Sequence, residues 1–112
     1  MRTIVTVATI LLMVSSAKAQ TAVDGSISLL RTGWGGDSFA LVLKLPPGVS
    51  LPDPHHCGTL DGVMSDSASP GYNTFYAAAL AAFSARKPVT VILNDHACVQ
   101  GRPAIFGINV FP

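Results

Sequence analysis

The sequence predicts a mainly β domain with one α-helix: a small five-stranded OB-type barrel in the order β-β-β-α-β-β. Three observations point there. A two-residue hydrophobic period runs through Ser38 to Leu45, a spacing of three and four takes over between Tyr72 and Phe83, and two further apolar runs follow, Val89 to Leu93 and Ala104 to Phe111. A single helix inserted among five short strands suits the OB-type barrel, and a sheet with one helix packed across it is the alternative.

The elements follow in order. Asp24-Gly25 reads as a turn opening a first strand, Ser26 to Arg31. Gly33 to Asp37 is a glycine-rich turn, and Ser38 to Leu45 is the second strand, with Phe39, Leu41, Leu43 and Leu45 on one face. Pro46-Pro47-Gly48 ends it, and Pro52 and Pro54 keep the next stretch irregular. Cys57 to Met64 has room for a short third strand, and Ser65 to Pro70 reads as a loop. The helix carries Tyr72, Phe75, Tyr76, Ala79, Leu80 and Phe83 on its predicted core face. Ser69 is placed as N-cap, Pro70 at the first helical position, Arg86 and Lys87 at the C-terminal end, and Pro88 as the stop. After the fourth strand, Asn94-Asp95-His96 starts a loop toward Cys98, and Gly101 to Pro103 turns the chain into the fifth.

The opposite helix face offers Ala77, Ala78, Ala81, Ala82 and Ala85 where a solvated helix would carry charge. Alanine favours helices in any setting. Small side chains also admit the close approach of another helix, as in a homo-oligomer.

The first nineteen residues read as an export signal. Arg2 is followed by an uncharged apolar stretch, Thr3 to Val14, and Ala17-Lys18-Ala19 places small residues at both specificity positions of a signal-peptidase site. The stretch is shorter than the roughly 20 residues a membrane-spanning helix needs. The expected organisation is a signal peptide over 1–19 and one domain over 20–112, with no membrane span after cleavage. That mature domain holds five Lys and Arg against six Asp, with no Glu, so it is close to neutral. No basic run tracks phosphates, which argues against nucleic acid as a partner. A low charge with many apolar residues points instead to surface covered by another subunit. The expected location is secreted or periplasmic, where Cys57 and Cys98 pair by default.

Constellations that carry chemistry are few. Gly36-Asp37-Ser38 resembles the surroundings of a nucleophilic serine, but it falls in a hairpin turn, and the adjacent Asp95 and His96 diverge if extended. No catalytic role is assigned, the chain is read as no enzyme, and no cofactor is implied. His55 and His96 each precede a cysteine by two residues. With His56 and Asp95 they would cluster near the disulfide if its flanking segments ran parallel, and would part if those ran antiparallel; no metal ligand is assigned. Trp34 stands in the glycine-rich turn, where an exposed indole stacks on a sugar or fills a partner's pocket, unless it folds back over the barrel's end.

The run from Tyr72 through Phe83, Pro88-Val-Thr-Val-Ile-Leu, Cys98 and Pro103-Ala-Ile-Phe-Gly-Ile-Asn-Val resembles the C-terminal half of subtilase-cytotoxin B-subunit-like proteins. Asp24 to Ser28 and the Thr32-Gly33 turn look like the same group. The resemblance implies an OB fold, a ring of five with helices facing the centre, recognition of host glycans and a catalytic partner subunit. It also implies a glycan pocket using Asp24 and Ser28, whereas the residues alone equally describe an Asp-Gly turn and an ordinary strand serine. The expected function is an exported, non-enzymatic, oligomeric subunit that binds carbohydrate. The alternative is a secreted or periplasmic protein-interaction module or inhibitor on the same fold.

Overall fold

A computed structural model describes residues 20–33 and 35–112. The chain forms β1 (Gln20–Thr32), β2 (Ser38–Lys44), β3 (Val63–Asp66), α1 (Tyr72–Ala85), β4 (Pro88–Val99) and β5 (Arg102–Val110). The strands close into a ring in the order β1-β2-β3-β5-β4, antiparallel except where β3 meets β5 at Met64 and Ala104. Strand count, element order and helix position are those the sequence predicts for a small OB-type barrel.

Closure depends on β1, which serves two partners. Its first half, Gln20 to Ser26, pairs with β4 from Asn94 back to Pro88, and its second half pairs with β2 as far as Thr32 and Phe39. The changeover falls at Gly25 and Ser26. A Cβ on Gly25 would sit 2.6 Å from the Lys44 carbonyl oxygen, so the crossing of β1 over the end of β2 needs a residue without a side chain there. Asp24-Gly25 is therefore strand interior and not the expected turn. The glycine serves close approach, and its φ is unexceptional.

Inside the ring, Val23, Phe39, Leu41, Val63, Val89, Val91, Leu93 and Ile105 form one buried cluster with Ala79 and Ala82 of α1. The two-residue period of β2 delivers Phe39 and Leu41 to it as expected, with Leu43 and Leu45 packed at its edge. Tyr72 and Tyr76 lie against the Phe39 ring at centroid distances of 5.7 and 5.3 Å, the second in an edge-on arrangement that aromatic quadrupoles favour.

The helix is turned relative to its expected orientation. Ala79 and Ala82 are buried, whereas Leu80 and Phe83 are 42% and 38% exposed. The reason is steric. A helix lying across the end of a narrow ring approaches the strands through its smallest side chains, and Ala82, assigned from sequence to the outer face, supplies one of them. The face left outside holds Asn73, Thr74, Ala77, Leu80, Ala81 and Ser84, with no charge among them. The C-terminal end falls at Arg86 as expected, but the N-terminal end does not use Ser69 as its cap. Gly71, with φ of 84°, occupies the N-cap position, while Ser69 and Asp66 close a preceding turn through the Ser69 N–H to the Asp66 carbonyl. At the other end Arg86 adopts the left-handed conformation at φ 56°, and the Lys87 N–H returns to the Ala82 carbonyl at 2.9 Å.

The long connection from β2 to β3 has no regular structure, and several ties hold it. Cys57 is bonded to Cys98 of β4, with their Cα atoms 5.7 Å apart. Asp53 accepts the N–H groups of Cys57 and Gly58 at 2.6 and 2.9 Å, which hold its carboxyl below the usual carboxylate range, and the Thr59 N–H reaches the Gly101 carbonyl at 2.9 Å. The third strand begins at Val63, at the end of the stretch expected to hold it, and runs to Asp66, so Ser65 and Asp66 are strand where a loop was expected. β4 runs on past His96 and Cys98 to Val99, so the expected loop there is strand.

Replacing Cys57 and Cys98 together by alanine is predicted to lower unfolding stability by about 4 kcal/mol, from the loop-closure entropy of the reduced unfolded chain. Gly25→Ala is predicted to cost about 2 kcal/mol or more through overpacking against the β2 backbone. Urea unfolding of each variant beside the parent checks both.

Candidate functional site

One candidate surface lies where β1 changes partner. Asp24, Ser26, Lys44, Thr90 and Phe111 gather around an open hollow of about 610 Å³, floored by Pro46, Pro47 and Pro88. Asp24 and Thr90 are register partners on β1 and β4, and the Thr90 hydroxyl donates to Asp24 Oδ1. Phe111 follows β5, held by its N–H to the Pro88 carbonyl at 3.0 Å, and leaves its ring about half exposed. One oxygen of Asp24 is thus oriented by a neighbouring hydroxyl, in a hollow whose lining also includes Lys44 and an accessible aromatic ring. Carboxylates accept hydroxyl hydrogens, and rings cover the C–H faces of polyols and sugars.

Ser28 stands elsewhere. The β1 ladder shifts between Ile27 and Leu29, leaving Ser28 in the irregularity, where its hydroxyl donates to the Val42 carbonyl at 3.0 Å. It lines a different hollow of about 540 Å³ with Phe83, Ser84 and Arg86. In an unbroken strand, residues four apart share a face. The irregularity and the changeover at Gly25 separate these two, so Asp24 and Ser28 do not line one hollow. Trp34 and the expected signal peptide over 1–19 lie outside the described residues.

The remaining sequence candidates disperse. Ser38 is buried at the start of β2, opposite Asp66. Asp95 accepts the Thr21 hydroxyl at 2.8 Å, and the exposed His96 gives its backbone N–H to Asn94 Oδ1 at 2.8 Å. His55 and His56 are exposed in the β2–β3 connection. Among the described residues, no three His, Cys, Asp or Glu side chains gather to hold a metal ion.

An ionic cluster that sequence reasoning missed joins that connection to β5 and β1. Arg102 grips Asp61 bidentately through one guanidinium edge, Nε to Oδ1 at 2.6 Å and Nη2 to Oδ2 at 3.1 Å, and Arg31 Nη1 stands 3.9 Å from Asp61 Oδ2. The three residues are far apart in sequence, and only ring closure unites them. The hydrogen bond from Arg102 holds the Asp61 carboxyl below the usual carboxylate range.

No protein-family model, curated protein or solved structure matches the chain. Among the described residues no helix is long and apolar enough to cross a membrane, and the disulfide suits an oxidising compartment.

Because the folded state lowers the Asp61 pKa, the pair's contribution is present above the unfolded carboxylate value and is lost as pH falls through the folded one. Asp61→Asn is predicted to remove at most about 1 kcal/mol at neutral pH, since the carboxylate is half exposed, and almost nothing in strong acid. Thermal unfolding of the variant and the parent across the acid range checks the convergence.

Proposed function

We propose that this chain is an exported, non-enzymatic binding subunit that recognises a carbohydrate and works as a homo-oligomer, in the manner of the B subunits it resembles. The observation that carries the sugar reading is the Asp24 hollow, where an oriented carboxylate, two hydroxyl-bearing residues, an ammonium and the exposed Phe111 ring stand together. Sugar sites combine polar groups of that kind with a ring against the sugar's apolar face. The disulfide supports export to an oxidising compartment. The oligomer rests on the uncharged outer face of α1, where Leu80 and Phe83 are exposed beside Ala77 and Ala81. A five-membered ring and a catalytic partner subunit rest on the resemblance alone.

The same exposed helix face supports a second reading, a secreted or periplasmic interaction module or inhibitor whose partner is another protein. A small hydrolase would show turnover abolished by Ser38→Ala, and we expect no turnover.

The mature domain, Gln20 to Pro112, is predicted to bind a subset of an arrayed glycan library. Asp24→Ala and Phe111→Ala should each weaken binding about tenfold or more, and Ser28→Ala should have less effect because it lines another hollow. An assembled, folded protein that binds no glycan removes the carbohydrate reading. A stoichiometric protein partner captured from the native host, indifferent to added sugar, favours the second.

A further inference from the structure

A second hollow, on the outer side of β1 and β2, has a different chemistry. Leu29, Val42, Leu43, Val49, Leu51 and Leu60 line a half-open space of about 510 Å³. Three of them, Leu29, Val49 and Leu60, are 42%, 50% and 44% exposed, so a large part of the exposed aliphatic surface among the described residues converges on this one place. No aromatic ring lines it, and Ser50 is the one hydroxyl-bearing residue in its wall. That lining offers a sugar no ring to stack on, in contrast to the Asp24 hollow with Phe111.

Charge is confined to one end. Arg31 and Asp61 close the wall there, with Arg102 clamped on Asp61 from behind. Two guanidinium groups face one carboxylate, so the cluster carries a net positive charge whatever hydrogen bonds its members make. The far wall is the β2–β3 connection, an irregular segment of the length that usually carries function. It is held at Cys57 by the disulfide, at Thr59 by the Gly101 carbonyl and at Asp61 by Arg102, so the hollow is formed before any ligand arrives. Gly62 permits the approach, because a Cβ there would lie 2.6 Å from the Leu41 carbonyl oxygen.

We infer that this hollow is a binding site for an aliphatic carboxylate, its chain laid along the leucine and valine wall and its head group paired with the Arg31–Asp61–Arg102 cluster. The volume accommodates a medium-length saturated chain, the aliphatic lining matches it, and the excess positive charge at one end sets its direction. The site is independent of the Asp24 hollow and does not rest on the carbohydrate reading.

Dodecanoate is the probe, titrated into the disulfide-intact mature domain and followed by calorimetry and by amide chemical shifts. Saturable binding below about 1 mM is expected, with shifts confined to β1, β2 and the 49–62 segment. Leu60→Asp should weaken it about tenfold or more, and its half-exposed position keeps the fold intact. Arg31→Gln should weaken dodecanoate about fivefold while leaving dodecanol unchanged, the readout that separates head-group pairing from packing. Three results overturn the assignment: no saturable binding, shifts centred on another surface, or equal loss of the acid and the alcohol in Arg31→Gln. Closure of the patch by self-association, abolished by Leu60→Asp in the absence of any fatty acid, overturns it as well and makes the hollow a protein contact.

Discussion

Much of this structure depends on how closely α1 can lie across the end of the five-stranded ring. Ala79 and Ala82 set that distance. Both are fully buried among Val23, Leu41, Val89 and the other core side chains, and each removes from the helix the bulk that would hold it away. With those two turned inward, Tyr72 and Tyr76 reach Phe39, and Leu80 and Phe83 rotate toward the outside. The composition of the outer face is therefore a consequence of core packing. The residues with most apolar area on the helix are not the ones it buries most deeply.

A core this small gives limited stability, which is why the ties on the β2–β3 connection matter. The Cys57–Cys98 bond, the Asp53 turn and the Arg102 clamp on Asp61 act on successive residues of one segment that forms no ladder of its own. Their joint effect is to convert an irregular strap into a fixed wall. The two hollows, one combining Asp24, Thr90 and Lys44 with the Phe111 ring and one walled by leucine and valine with Arg31 and Asp61 at its end, have only Leu45 in common.

Much of the fold was legible in the sequence because its signals were local. The period of β2, the helical spacing after Tyr72 and two cysteines in a chain with an export-like leader led to the strand count, the helix position and the disulfide. What was illegible depends on closure. Asp24-Gly25 carries turn chemistry, yet it sits where β1 crosses from β4 to β2, and a glycine needed for close approach looks like a glycine needed for a turn. Ser69-Pro70 has the chemistry of a helix start, but Asp66 draws Ser69 into an earlier turn. Ala82 lies outward by hydrophobic spacing, and the surface its small side chain lets the helix approach is the ring of its own domain and not another helix. For the site, the acidic residue was visible and its company was not: Lys44, Thr90 and Phe111 come from three other parts of the chain, and the strand irregularity that moves Ser28 away leaves no mark in the residue pattern.

The uncharged outer face of α1 joins the packing of this chain to its proposed mode of action, since a helix that meets water on that side would gain from charge there. Sedimentation equilibrium of the purified mature domain, with a variant carrying Ala77→Glu and Ala81→Lys on the exposed helix face, tests that link most directly. The account predicts an assembled parent at micromolar concentration and a folded monomeric variant. A parent that sediments as a monomer throughout, with unchanged behaviour in the variant, would contradict it.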